Sequence, residues 1–408
     1  MSKSHDRFER IEARGNQLLM ASRTASELAA IAGGSPLYVY DRLAMTQRVT
    51  ELRAQMPAPL KLHYAIKANP MPAVVGHMAT LVDGLDVASH KEMLIALASG
   101  VSPDNVSFAG PAKSEAELMA ATAAGITVNV ESELELSRLY QCSDELGIKP
   151  AVAFRVNPDF ELKASGMKMA GGPKQFGIDA EQMPEMLKSL DMSKVDLQGF
   201  HIFSGSQNLK PEALIDSHNK TFELATRLTE MSPTKVQHIN IGGGLGIPYF
   251  PGEQALNIAP IADNLSRLLN HLPESLLHCD IVMELGRYLV GEAGYYLCKV
   301  TDKKVSRGQT FLMTDGGLHH HLSNSGNFGQ VLRKNYPVVL ANRLVAQETE
   351  LVEVVGPLCT PLDIVGAKLE LPIVELDDYI AVLQSGAYGA TASPQAFLGH
   401  PEVREILL

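Results

Sequence analysis

The sequence predicts an α/β protein, a (β/α)8 TIM-like barrel followed by a mainly β domain. Three observations carry this. Between about residues 60 and 285, short β-like runs alternate with helix-like stretches eight times. After about residue 290 the helix-like stretches give way to strand patterns separated by turns. The chain is 408 residues long and 45% hydrophobic, enough to bury more than one core. Parallel strands need crossover connections of the kind the helix-like stretches supply. Eight repeats over roughly 225 residues match a closed barrel better than an open doubly wound sheet, the remaining alternative.

The candidate barrel strands are, in order, LKLHYAIK (60–67), GLDVAS (84–89), NVSFAG (105–110), ITVNVES (126–132), AVAFRVN (151–157), LQGFHIF (197–203), VQHINIGG (236–243) and DIVMEL (280–285). SEAELMAATAAG, ESELELSRLYQCSDELG and PEALIDSHNKTFELATRLTEM are among the helix-like stretches between them. KASGMKMAGGPKQFG (163–177), rich in Gly, Lys and Met, reads as a long βα loop. Beyond the barrel, GYYLCKVTDKKV, QTFLMTD, ETELVEVVG and DYIAVLQSG read as strands. The resulting boundaries are an N-terminal segment, 1–41, joining the β domain through SPLYVYD; the barrel, 42–290; and the β domain, 291–408.

Charge and composition narrow the function. A net charge of −11 disfavours nucleic acid, because phosphate binding needs a basic surface. No apolar run approaches the length of a membrane span, and the polar N-terminus has no signal-peptide core. Cys142, Cys279, Cys298 and Cys359 show neither CxxC spacing nor a small disulfide framework, which favours a reducing, cytoplasmic setting.

Functional groups in such a barrel sit at the C-terminal ends of the strands. Lys67 ends the first run, in LKLHYAIKAN, where His63, Ala65 and Lys67 share one face; a lysine there could form a Schiff base with a carbonyl cofactor, or be a solvated strand-end lysine. HINIGGGLGIPYF brings Gly242, Gly243 and Gly244 after a strand, where backbone N–H groups can approach an anion. A dinucleotide fingerprint would need Gly at position 247, which is Ile. GFHIFSGSQN offers Ser204 and Ser206 as hydroxyl donors. Glu284 closes the eighth run and Arg287 follows; an acid can keep a pyridine nitrogen protonated and an arginine can hold a phosphate, though an ion pair is the plainer reading. The run His319-His320-His321 would offer a metal two ligands at most if it were a strand.

Taken in order, HYAIKAN, GLDVASHKEM, SFAGPAKS, RVNP, QFGI, NIGGGLG, ELGRYLVG, VVGPLCTPLD and SGAYG resemble the barrel-type ornithine/diaminopimelate/arginine decarboxylases that use pyridoxal 5′-phosphate. The resemblance runs from YVYD to the C-terminus. SGMKMAGGPKQFG, FHIFSGSQN, DGGLHHHLSNSGNFGQ, LCTPLD and FLGHP look most like the exosortase-associated, carrier-protein-aminoacyl and siderophore-pathway subgroup. It implies that Lys67 carries the cofactor and Glu284 pairs with its ring nitrogen. Ser206, Gly242, Gly243, Gly244, Arg287 and Tyr388 would hold the phosphate, with Asp86, Phe203 and Gly286 completing the pocket. Cys359, from the second subunit of a homodimer with shared sites, would supply a proton after CO2 leaves. Arg287, Thr360, Asp363 and Tyr388 are the implied substrate positions, Asp363 also bracing the cysteine loop.

Three departures from the family pattern stand out. Phe203 replaces the histidine that stacks on the cofactor ring, and Leu285 replaces a proline. The Arg, Tyr and Glu that grip a distal amino-acid head group fall in His319–Ser323 and at Thr360. Losing those charge partners argues against free diaminopimelate or ornithine and for a carrier-bound or conjugated substrate. The loop Ser323–Asn327 would offer it hydrogen bonds, and Arg333 and Lys334 could reach a distal carboxylate. Diaminopimelate decarboxylase, a racemase on the related barrel and a non-catalytic pyridoxal-phosphate binder are the competing readings.

Overall fold

The structure is a computed structural model, and it describes residues 5–163, 166–326 and 333–408. The chain divides into two compact units. One is Arg48–Ile247 with Leu256–Tyr288; the other is Met1–Gln47, Pro248–Ala255 and Leu289–Leu408.

Eight strands of the first unit form the barrel wall: β1 (Lys61–Ala65), β2 (Gly84–Val87), β3 (Val106–Phe108), β4 (Thr127–Val130), β5 (Ala151–Asn157), β6 (Asp196–His201), β7 (His238–Asn240) and β8 (Asp280–Leu285), with two-residue strands in the connections besides. Each is hydrogen-bonded in parallel to the next, and β8 returns to β1 with Glu284 opposite His63. The sheet is therefore closed, and the expected barrel is present. The open-sheet alternative is excluded by this closure.

Three consecutive βα connections use the same local chemistry. Ser89, Ser114 and Ser132 each stand just before a helix and accept the N–H of a glutamate three residues on, Glu92, Glu117 and Glu135. Such caps contribute about 0.5–2 kcal/mol each. They fix the helix starts on the catalytic side of β2, β3 and β4.

The barrel interior is more polar than the branched aliphatic layers that usually fill this fold. Asp86 Oδ1 accepts from Ser107 Oγ at 2.6 Å and lies 3.2 Å from His63 Nδ1, and Asn129 Nδ2 donates to Ser107 Oγ. A cavity of about 240 Å3 opens among the N-terminal ends of the strands, lined by Lys61, His63, Asp86, Asn129 and His238 among others.

The second unit is built on β9 (Gly294–Ser306), a long strand whose first half pairs with β14 (Tyr379–Val382) on one edge and with Leu37–Tyr40 on the other. Its second half pairs with β10 (Gln309–Thr314), which continues through β12 (Thr349–Val355) to β13 (Ile364–Pro372). β11 (Val338–Leu340) extends the sheet beside β14, and Arg404–Leu407 pairs in parallel with Leu37–Tyr40. The mainly β character expected after residue 290 is present; β11, β13 and the C-terminal strand are additions to it.

One local expectation is corrected. His319, His320 and His321 lie in a turn, not on a strand, and all three are buried. His320 Nε2 donates to the Pro401 carbonyl, His321 Nε2 lies 2.9 Å from Ser385 Oγ, and the His319 and His320 rings meet at a 41° tilt with centroids 3.7 Å apart. Among the described residues no group of three His, Cys, Asp or Glu side chains is arranged to hold a metal.

Candidate active site

Strand β1 ends at Ala65, and Lys67 sits in the single 3-10 turn Ile66–Ala68 that follows, two residues beyond the strand end expected of it. The turn is closed by Asn69 N–H donating to the Ile66 carbonyl and Tyr64 OH donating to the Asn69 carbonyl, both at 2.9 Å. Gly286, just after β8, lies against this turn: a Cβ there would come within 2.9 Å of Ala68 Cβ. The absence of a side chain at 286 lets the lysine-bearing turn pack on the end of β8.

Glu284 points into the same place. One carboxylate oxygen, Oε1, is 3.6 Å from Lys67 Nζ, and the other, Oε2, is 3.0 Å from His201 Nε2. Both Glu284 and His201 are buried. Burial alone would push this carboxyl up, but the Lys67 ammonium, the His201 hydrogen bond and the Arg155 charge outweigh it and hold Glu284 well below the usual carboxylate range. Lys67 Nζ also lies 5.4 Å from the centre of the Phe203 ring. Lys67, Glu284 and Phe203 are thus together.

The glycine run follows β7. Gly242 N–H donates to Asn240 Oδ1, and the Gly242 carbonyl accepts Glu284 N–H, at 2.8 and 2.9 Å. A Cβ on Gly243 would lie 1.9 Å from the Glu284 carbonyl oxygen, so no other residue fits there without moving β8. Gly242 and Gly244 have φ of +70° and +93°, which side chains rarely adopt. Gly205–Ser206 forms a two-residue antiparallel ladder with Met167–Lys168, and Arg287 opens the short helix Arg287–Val290. A buried ionised carboxylate beside a lysine, next to a glycine-only backbone cradle, fits an aromatic cation that also carries a phosphate. The residues present suit pyridoxal 5′-phosphate.

Two features of the barrel were missed from the sequence. His201, noted only as lying near Phe203, is the hydrogen-bond partner of Glu284. Arg155 Nη1 donates to Glu131 Oε1 at 2.9 Å, and the N–H groups of Gly110 and Gly177 also reach the Glu131 carboxylate. Burial raises the Glu131 carboxyl, but Arg155 and Lys113 more than compensate and lower it. The signal for the second pair was slight: an acid and an arginine at the ends of adjacent strands. Asp86, an expected cofactor contact, is engaged on one oxygen by His63 and Ser107, while its buried Oδ2 has no partner among the described residues.

In the other unit, Cys359 is exposed on the loop between β12 and β13. Asp363 braces that loop: Oδ2 accepts Leu358 N–H at 2.8 Å and Oδ1 accepts Leu318 N–H at 2.6 Å. It is 2% exposed, with both carboxylate oxygens turned to these backbone N–H groups. Thr360 Oγ1 accepts Leu362 N–H. Tyr388 has φ +54°, and its carbonyl accepts Ser323 Oγ. Ser323, Asn324 and Ser325, expected to face substrate, are buried in the short helix Leu322–Ser325, their side chains bonded to Tyr388, Val365 and Leu322 carbonyls. Arg333 is held by the Ser325 carbonyl and Asn335, and Lys334 lies over the Phe250 ring. Asn327 falls outside the described residues.

Comparison with known proteins gives these arrangements a context. The family described as pyridoxal-dependent decarboxylase, pyridoxal binding domain, matches residues 43–291. The L-glutamyl-[BtrI acyl-carrier protein] decarboxylase of Niallia circulans is 34% identical over 91% of this chain and 88% of its own. The diaminopimelate decarboxylase of Aquifex aeolicus is 30% identical over 98% and 92%. The crystal structure of the diaminopimelate decarboxylase of M. jannaschii superposes with a TM-score of 0.87 at 28% identity, covering 98% of this chain and 92% of that one. Agreement of profile, sequence and fold across both units leaves one assignment: the chain belongs to the pyridoxal-dependent decarboxylases, lyases that use pyridoxal 5′-phosphate to remove a carboxylate from amino-acid substrates.

Proposed function

We propose that this decarboxylase takes its amino acid as a carrier-bound or otherwise conjugated derivative, rather than as a free diamino acid. The carrying observation is the segment after the Asp315–Gly317 turn. Residues 318–326 contain no Asp, Glu, Lys or Arg, so they supply no fixed charge to pair with a distal ammonium or carboxylate. A free distal ammonium or carboxylate lying beside this segment would find no charge partner in it, and its Ser and Asn side chains are already bonded to backbone carbonyls. The 34% identical relative that acts on a glutamyl group held by a carrier protein supports the same reading.

The resemblance to the family supports a role for each residue. Pyridoxal 5′-phosphate, when bound, supplies an electron-poor ring that takes up the electron pair released with CO2. Lys67 would hold it covalently through Nζ. Glu284 would pair with the ring nitrogen and keep it protonated. Ser206, the backbone of Gly242, Gly243 and Gly244, Arg287 and Tyr388 bind the phosphate. Phe203 would pack against it, and Asp86 and Gly286 would complete the walls. Cys359 Sγ, contributed by the second subunit of a homodimer, gives its proton to the carbon that has lost CO2, and Thr360 beside it meets substrate. Each turnover consumes one proton. A thiol in that role must stay reduced, which fits a cytoplasmic enzyme with four unpaired cysteines.

The test is a steady-state comparison of CO2 release from glutamyl and other aminoacyl thioesters on a carrier protein against free meso-diaminopimelate, ornithine, lysine, arginine and glutamate. The free amino acids should turn over weakly or not at all. Efficient decarboxylation of free meso-diaminopimelate, with kcat/KM of about 10⁴ M⁻¹s⁻¹ or more, would overturn the substrate assignment.

A further inference from the structure

We infer that His201 is a positioning residue: its Nε2–H ties up Oε2 of Glu284 so that the carboxylate presents only Oε1 to Lys67 and the cofactor ring. This rests on the reading above, in which Glu284 is the partner of the ring nitrogen.

The geometry separates the two oxygens of one carboxylate. Oε2 is 3.0 Å from His201 Nε2, and Oε1 is 3.6 Å from Lys67 Nζ. A carboxylate that can swing about its last torsion would share either oxygen, or split its charge between them. The barrel ladder sets the two backbones, with His201 closing β6 opposite Asn240 on β7 and Glu284 near the end of β8, and the His201 hydrogen bond opposes that swing. Both side chains are buried, 2% and 4% exposed, so water does not compete for either group.

The tautomer follows from the other ring nitrogen. Nδ1 of His201 is buried and has no partner among the described residues. A proton placed there would be an N–H without an acceptor, whereas a proton on Nε2 has the carboxylate 3.0 Å away. His201 therefore donates through Nε2 and keeps Nδ1 bare. That fixes the direction of the hydrogen bond and makes Oε2 an acceptor only. The same device occurs once more in the barrel interior: His63 and Ser107 both occupy Oδ1 of Asp86 and leave Oδ2 apart.

Four measurements on the cofactor-loaded enzyme test this. Long-range ¹⁵N NMR of histidine-labelled protein should show His201 as the Nε2–H tautomer; an unprotonated Nε2 overturns the inference, whatever the variants do. H201L should lower kcat about 10- to 100-fold with KM changed less than about threefold, the size expected for losing a hydrogen bond to a charged group. Its visible absorption band should also shift relative to wild type. H201Q, which keeps a donor at a similar reach, should recover most of kcat and the wild-type band. Equal defects in H201Q and H201L would mean a packing role and overturn the proposal. E284Q separates the two levels of the argument. If E284Q leaves the absorption band unchanged, the ring-partner reading falls and the inference with it. If E284Q shifts the band while H201L does not, only the positioning role falls.

Discussion

The barrel and the β domain hold their candidate functional residues in opposite ways. In the barrel, Glu284, His201, Asp86, Glu131 and Arg155 lie at or near strand ends, are buried, and each has a polar bond to another barrel residue. In the β domain, Cys359 is exposed on a loop, and the polar anchoring of that loop comes from a neighbour, Asp363, not from the cysteine itself. The difference teaches a division of labour. Groups that set the electronics of a cofactor must be fixed within tenths of an ångström and kept from water, which a closed sheet does. A group with the role proposed for Cys359, delivery of one proton, can stand on a loop.

The largest expected effect lies on the barrel side. Lys67→Ala should lose covalent cofactor and lower kcat by at least about 10³-fold, the range for removing a nucleophilic residue that acts in a unit. Borohydride treatment of the wild-type enzyme should leave a pyridoxyl group on the peptide containing Lys67, read by mass spectrometry. A label on any other lysine would break the comparison, because the catalytic lysine would then not be the one held by the β1 turn.

A mixing experiment probes the loop side. Lys67→Ala and Cys359→Ala are each expected to be nearly inactive. If subunits exchange at random, half of the dimers are hybrids with one fully native site of two, so about a quarter of wild-type activity should return. No recovery, with exchange shown by native mass spectrometry, would mean that Cys359 serves its own chain.

Asp363→Asn should act at intermediate strength. The amide can accept from only one of the two N–H groups now bonded to the carboxylate, so either Leu318 or Leu358 faces an N–H donor. A loss of about 1–3 kcal/mol in unfolding free energy is expected, with kcat reduced and cofactor absorbance unchanged. A changed cofactor spectrum would blur the division between the two domains.

The two regions also differ in how far their sequences could be read. The barrel strands announce themselves because each is a short apolar run between helix-like segments. The position of Lys67 in a turn, rather than on the strand, is a local adjustment of two residues. The His201–Glu284 bond could not be read, because 83 residues separate the partners and only the closure of the barrel brings β6 and β8 into reach. In the β domain, Val338–Leu340 is too short to carry a period, and Ile364–Pro372 is interrupted by Gly366 and by Lys368 at φ +52°. The histidine run misled for a different reason. Three identical residues have no hydrophobic period at all, so a strand, a turn and a metal loop look alike until their neighbours, Pro401 and Ser385, are placed.

The smallest effect is expected from that run, and its direction is fixed by the protonation balance. His319 is fully buried, neither ring nitrogen has a partner among the described residues, and burial, with the nearby His320 and His400 rings, pushes its pKa from the usual 6.5 down to about 3. Below pH 6.5 the unfolded chain therefore binds a proton at this position that the folded protein does not. His319 contributes fully to stability above pH 6.5, and that contribution is lost as pH falls toward 3. At pH 5 the loss amounts to about 2 kcal/mol relative to pH 8. His319→Leu removes the titrating group and keeps an apolar side chain among these rings. The variant should be somewhat less stable than wild type at pH 8, through lost packing, and should close or reverse that gap at pH 5. Urea unfolding of both proteins at the two pH values reads the difference directly. A gap that stays constant between pH 8 and pH 5 would show that His319 gains a partner on folding.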